Sequence, residues 1–110
     1  MIDWDRIKSL QDEIGPEVFP DIVTLFIDEV SETIGRLRDT PDLETLGADL
    51  HMLKGSAMNL GFTSFSELCQ SGESRAMEGR AEEIAIAPIL ESFEESKLVF
   101  LAGLENGQGR

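Results

Sequence analysis

One cysteine, one histidine, four prolines and only nine lysine or arginine residues occur in this chain of 110 residues. The lone thiol, Cys69, has no partner for an internal disulfide and no second cysteine at a zinc-binding spacing. Such cysteine usage fits a reducing compartment, so the cytoplasm is the expected location. No run of about 18 apolar residues offers a transmembrane helix. The start, MIDWDRIKS, lacks the basic region and apolar core of a signal peptide. The few cations face 22 aspartates and glutamates, for a formal net charge of −13. A chain this acidic is repelled by a phosphate backbone and by anionic lipid. Neither nucleic acid nor a membrane surface is therefore an expected partner. No internal repeat and no low-complexity tract is present.

What remains is a chain with 41% apolar residues, enough for one packed core in one domain. Sustained period-2 alternation is missing, and helical periodicity dominates. The first segment runs over about 2–14, with Asp3 as N-cap and Trp4, Ile7, Leu10 and Ile14 on one face; Gly15-Pro16 ends it. It reads as a short accessory helix, over 1–15, that lies across the end of a bundle. A second helix is expected over about 16–38. Its stripe is Val18, Ile22, Leu25, Phe26, Val30 and Leu37, widened by Phe19, Ile27 and Ile34, with Arg36 and Arg38 in the last turn. Thr40 is then expected to cap a third helix, with Pro41 in its first position, over about 42–60. Leu43, Leu46, Leu50, Leu53 and Ala57 form its core stripe. A fourth helix over about 64–78 has a capping-box pattern in Ser64 and Glu67, and Phe65, Leu68, Cys69, Ala76 and Met77 turned inward. Gly72 sits in its middle, at a cost of roughly 1 kcal/mol against alanine. A fifth segment runs over about 81–104. Pro88 inside it implies either a kink or a fresh start near Ala87. Ile89, Leu90, Phe93, Leu98, Phe100 and Leu101 continue its apolar face. Short loops between long helices predict an all-α, antiparallel up-down-up-down four-helix bundle over 16–104, with a frayed tail over 105–110.

The only histidine, His51, lies roughly 115° from the centre of the third helix's leucine stripe, a stripe roughly 80° wide. It therefore points to solvent. Its neighbours at three and four residues are Gly47, Ala48, Lys54 and Gly55. Three of them carry no side chain or a methyl, and the fourth carries an ammonium. Two glycines in a helix interior cost roughly 0.5–1 kcal/mol each against alanine. Clearance for a close approach to the imidazole is a physical reason to keep them. An imidazole with a reference pKa of ~6.5 is largely uncharged and nucleophilic near neutral pH. A bare surface, an exposed nucleophile and a cation one turn on suit reversible acceptance of a phosphoryl group. Metal binding is not expected, because no second histidine and no cysteine pair is available. A hydrolase would need a nucleophile beside His51, and Ser56 at i+5 is on another face.

The run HMLKGSAMNLG from His51 to Gly61 resembles the HxLKGSAxxLG signature of histidine-containing phosphotransfer (HPt) domains. The resemblance implies a four-helix bundle with an accessory helix. It implies phosphorylation of His51 through Nε2, help from Lys54 in holding the phosphoryl group, and partner access at Gly55. It also implies a phosphorelay carrier that has no ATP site. Such a carrier takes phosphate from a receiver-domain aspartyl phosphate, for instance in a hybrid histidine kinase, and passes it to another response regulator. The receiver supplies Mg²⁺, and no bound cofactor is expected.

Gly47, Ala48, Met52 and Met58 are the expected contacts for the partner. Family members often place a glutamine opposite the histidine. The corresponding residue here is Glu73, with Gln70 one turn earlier. A carboxylate there can accept from the imidazole Nδ1–H and fix the tautomer, and it repels a phosphoryl group that comes close. Gly72 stands where a larger apolar residue is expected, which loosens that helix. The rival reading is a helical adaptor that binds a receiver or kinase without carrying phosphate, with Glu73 as its main support. A free-standing monomer is expected rather than a piece of a hybrid kinase, since neither end shows a linker-like composition.

Overall fold

The structure, a computed structural model, describes residues 2–105. It has five α-helices: α1 (Trp4–Ile14), α2 (Phe19–Asp39), α3 (Leu43–Asn59), α4 (Thr63–Met77) and α5 (Ile86–Glu105), with a 3₁₀ turn at Ala81–Glu83. Among the described residues there is no strand, only an isolated bridge between Ile2 and Phe62. α2 packs on α3, α3 on α4, α4 on α5, and α5 back on α2. Neighbours in sequence are neighbours in space and the ring closes, which is the up-down-up-down bundle that short loops impose. The expected tail lies, beyond Glu105, outside the described residues.

Each helix buries the side chains whose spacing matches 3.6 residues per turn. α3 buries Leu46, Leu50, Leu53 and Ala57, and α5 buries Ile89, Phe93 and Phe100. Phe62, Phe65, Phe93 and Phe100 meet at one end of this core, with ring centroids 5.4–6.4 Å apart. The accessory helix closes that end. Its Trp4 ring stacks on Phe100 at 6.0 Å. Gly103 makes room for it, since a Cβ there would lie 2.2 Å from the indole.

The turn between α3 and α4 holds α1 in place. Gly61 adopts φ +72, a left-handed conformation that glycine enters without steric cost. Its carbonyl accepts from the Asp3 N–H at 2.7 Å, so close that a Cβ on Gly61 would lie 2.6 Å from the Asp3 carbonyl oxygen. Asp3 caps α1 as expected, accepting from the Arg6 N–H at 3.1 Å.

Several local expectations are corrected. α2 begins at Phe19, because residues 15–18 form a turn that hands the chain from α1 to α2. Val18 and Leu25 face solvent, and the buried stripe is Phe19, Val23, Val30, Ile34 and Leu37. Asp42, not Thr40, caps α3: its carboxylate accepts from the Glu44 N–H at 2.9 Å, and Pro41 stays in the connection. α4 starts one residue early, at Thr63, with Phe62 at the N-cap and no side-chain cap. Ser64 is then inside the helix and the capping box does not form. Leu43, Met77, Leu98 and Leu101 are exposed rather than core. Of the two readings of Pro88, the fresh start is right. α5 begins at Ile86, so Pro88 falls in a first turn, where a missing N–H costs no helical bond.

Gly72 does not loosen α4. It is buried, and a Cβ there would lie 2.7 Å from Leu50 Cδ1, 3.5 Å from Ile84 and 3.8 Å from Ile89. The missing side chain lets α4 sit close on α3, and these two helices form the most extensively packed pair in the bundle.

Candidate functional site

The leucines that bury one side of α3 turn His51 outward, and its side chain is 70% exposed. One helical turn on, Lys54 leans toward α4 and is only 21% exposed. Both reach the same group. Glu73 projects from α4 with 10% of its side chain exposed. Its Oε2 lies 2.5 Å from His51 Nδ1, and its Oε1 accepts from Lys54 Nζ at 2.6 Å. One carboxylate thus spans two residues of the facing helix, one with each oxygen. The close approach that Gly72 allows, one residue earlier on α4, brings it there.

The electrostatics follow from these contacts. The Lys54 ammonium, more than the imidazole, holds the Glu73 carboxyl below the usual carboxylate range, against the opposing effect of burial. An ionised carboxylate accepts hydrogen bonds only, so the nitrogen facing it carries the hydrogen. Nδ1–H therefore donates to Glu73, and in the neutral ring Nε2 keeps its lone pair. The exposed face of the ring presents that lone pair to whatever docks on it. Burial pushes the Cys69 thiol, one turn before Glu73 on α4, up to about 12, which leaves it an inert core group.

The remaining candidates separate. Nothing lies within 4 Å of where a Gly55 Cβ would stand, so the surface beside His51 is open there. At Gly47 a Cβ would be 3.0 Å from Ala76 Cβ, so the clearance at that position serves the α3–α4 packing as well. Ala48 is exposed beside the imidazole. Met52 is half-buried against the core, and the Ser56 hydroxyl lies 3.8 Å from its sulfur. Met58 is exposed, but it lines a separate groove with Arg6, Asn59 and Thr63 near α1. Gln70 does not approach the imidazole. Its amide donates to Ser74 Oγ at 3.4 Å, and Glu73 alone supplies the facing group.

An apolar groove of about 390 Å³ runs from His51 and Glu73 between α3 and α4. It is lined by Gly47, Ala48, Ala76 and Ala81, with Leu43, 51% exposed, and Met77, 82% exposed, among its walls. Sequence reasoning assigned Leu43 and Met77 to the core and missed them here. The available signal was that each lies at the end of its helix, where a core stripe runs out of neighbours. Among the described residues no group of three or more His, Cys, Asp or Glu side chains is placed to hold a metal ion. Among them, too, no helix is long and apolar enough to cross a membrane.

The family model named Hpt domain matches residues 21–105. The chain belongs to the Hpt domain family. It is also similar to two proteins of Arabidopsis thaliana, histidine-containing phosphotransfer proteins 2 and 5. It is 30% and 28% identical to them, in each case over 74 residues, which are 62% of this chain and 47% of the relative. The chain thus spans about half the length of the curated relatives it matches. No solved structure matches. The Hpt model takes in α3, α4 and α5 whole and nearly all of α2, and it leaves out α1.

Proposed function

We propose that this protein is a phosphorelay carrier that accepts a phosphoryl group on Nε2 of His51 and passes it to a second acceptor. The observation that carries the reading is the shared carboxylate. Glu73 accepts a hydrogen bond from Nδ1–H and leaves the nucleophilic lone pair of Nε2 on the exposed side, in a chain of the Hpt family. The donor is the aspartyl phosphate of a receiver domain, including that of a hybrid histidine kinase, and the acceptor is the receiver of a response regulator. The lone pair of Nε2 attacks phosphorus in line, and the bond from phosphorus to the aspartyl oxygen breaks. Positioning supplies most of what such a step needs, so a ring held by Glu73 and an uncluttered approach at Gly55 suit it. Mg²⁺ comes with the receiver, and the carrier neither binds ATP nor turns it over. The groove walled by Leu43 and Met77 offers the apolar contact on which a receiver would seat. The same reading makes residues 1–110 one cytoplasmic, monomeric domain.

The adaptor alternative rested on repulsion between Glu73 and a phosphoryl group. That argument weakens, because the carboxylate faces Nδ1 and not the exposed Nε2 that takes the phosphoryl group. Incubation with a phosphorylated receiver domain tests the proposal. Label is expected on the wild type and none on His51→Gln; equal label on both removes His51 from its role.

A further inference from the structure

Resting on the carrier reading above, we propose that Lys54 changes partner between the empty and the loaded carrier. In the empty state it neutralises Glu73. In the loaded state it moves to the phosphoryl oxygens, and the freed carboxylate holds the proton on His51 Nδ1.

The geometry of the empty site supplies the first half. Glu73 is shared, with Oε2 on the ring and Oε1 on the ammonium 2.6 Å away. A carboxylate paired in this way has its charge offset by the ammonium while it accepts from Nδ1–H. Loading alters the balance of charge. When the Nε2 lone pair forms its bond to phosphorus, the aspartyl oxygen departs with its own electron pair. The ring, neutral before, then carries a positive charge with hydrogen still on Nδ1. The arriving phosphoryl group is more negative than a carboxylate and sits on the same ring, one turn of α3 from Lys54. A lysine side chain is a mobile point charge on a four-carbon stem, suited to such a move. Once it leaves, Glu73 faces a cationic ring alone.

The gain is in unloading. If Nδ1 keeps its proton, the N–P electron pair returns to Nε2 and the ring leaves as neutral imidazole, with no proton taken up. If the proton were lost, the leaving group would be an imidazolate until solvent returned it. A glutamine at this position would still accept the Nδ1–H hydrogen bond but would bring no charge to hold the cation. The carboxylate thus has a role beyond orientation. Other groups around Glu73 do not interfere. From α3 only His51 and Lys54 bond to it, and Glu44 lies at the rim of the same groove. On α4 itself Cys69 is a neutral thiol, and no charged side chain of α5 or of the 3₁₀ turn is among the groups that act on the carboxyl.

The test loads wild type and Glu73→Gln from a phosphorylated receiver, removes the donor, and follows return of the phosphoryl group to fresh receiver from about pH 6 to about pH 9, a range that brackets the ~6.5 of free imidazole. Taking the ratio of the two rates at each pH cancels the receiver's own pH dependence. The ratio of wild type to variant is expected to climb, approaching about tenfold per pH unit where the variant has lost its ring proton. A flat ratio would mean that Glu73 acts by geometry alone and would overturn the proposal. Failure of the wild type to load at all would instead overturn the carrier reading beneath it. Should Glu73→Gln not fold, ¹⁵N spectra of wild-type protein, phosphorylated chemically with phosphoramidate, give the same answer. Nδ1 protonated past about pH 8 supports the proposal, and loss of that proton near neutrality overturns it.

Discussion

Replacing Gly72 by alanine should destabilise the bundle although alanine is the better helix former. Removing a glycine from a helix interior gains roughly 0.5–1 kcal/mol. Against this stands the new Cβ, 2.7 Å from Leu50 Cδ1, well inside van der Waals contact. Leu50 is fully buried, so its Cδ1 can yield only by displacing packed neighbours. Overpacking of this kind typically costs roughly 1–3 kcal/mol. Subtracting the helix gain leaves a net loss of about 1 kcal/mol, or a fall in Tm of about 4–8 °C. Gly55→Ala is the matched control, since nothing lies within 4 Å of its new methyl and only the helix gain of about 0.5–1 kcal/mol applies. Urea denaturation followed by circular dichroism reads both, as shifts of midpoint at constant m. The two substitutions should move the midpoint in opposite directions. A more stable Gly72→Ala protein would refute the claim that α4 needs a bare backbone against Leu50.

Ser96 on α5 is fully buried and its hydroxyl has no hydrogen-bond partner among the described residues, so Ser96→Ala should stabilise by about 1 kcal/mol, read as a higher melting temperature. Gly55→Gln should leave the denaturation midpoint within about 0.5 kcal/mol of wild type yet slow phosphoryl transfer; unchanged transfer would remove the clearance argument. Lys54 holds the Glu73 carboxyl below its ordinary range, so this pair stabilises the fold above the usual carboxylate value of ~4.3 and loses that contribution as pH falls through the lower folded value. Between about pH 5 and about pH 2 wild type should therefore lose more stability than Glu73→Gln, and parallel curves from urea titrations would contradict it.

The bundle was legible because its signals are periodic and redundant. Five helices, the closed topology and the outward face of α3 all follow from where leucines and phenylalanines recur. Helix ends were less legible, because capping depends on one residue. Asp42 outcompeted Thr40, and Phe62 took a cap position for reasons of burial. Leu43 and Met77 match the core stripe in spacing but fall where no neighbouring helix covers them. Gly72 reads as a defect in sequence, and only the position of Leu50 reveals it as a fitted contact. At the site, the place of His51 was readable from helical angles. The sharing of Glu73 was not, because it depends on how closely two helices approach.

The central claim is that Glu73 commits Nδ1 of His51 and leaves Nε2 to carry the phosphoryl group. Two-dimensional ³¹P–¹H NMR of the loaded protein locates the phosphorus directly, because the two ring nitrogens couple to the ring protons in different patterns. The account predicts phosphorus on Nε2 alone. Phosphorus on Nδ1, the nitrogen bonded to Glu73 here, would contradict it.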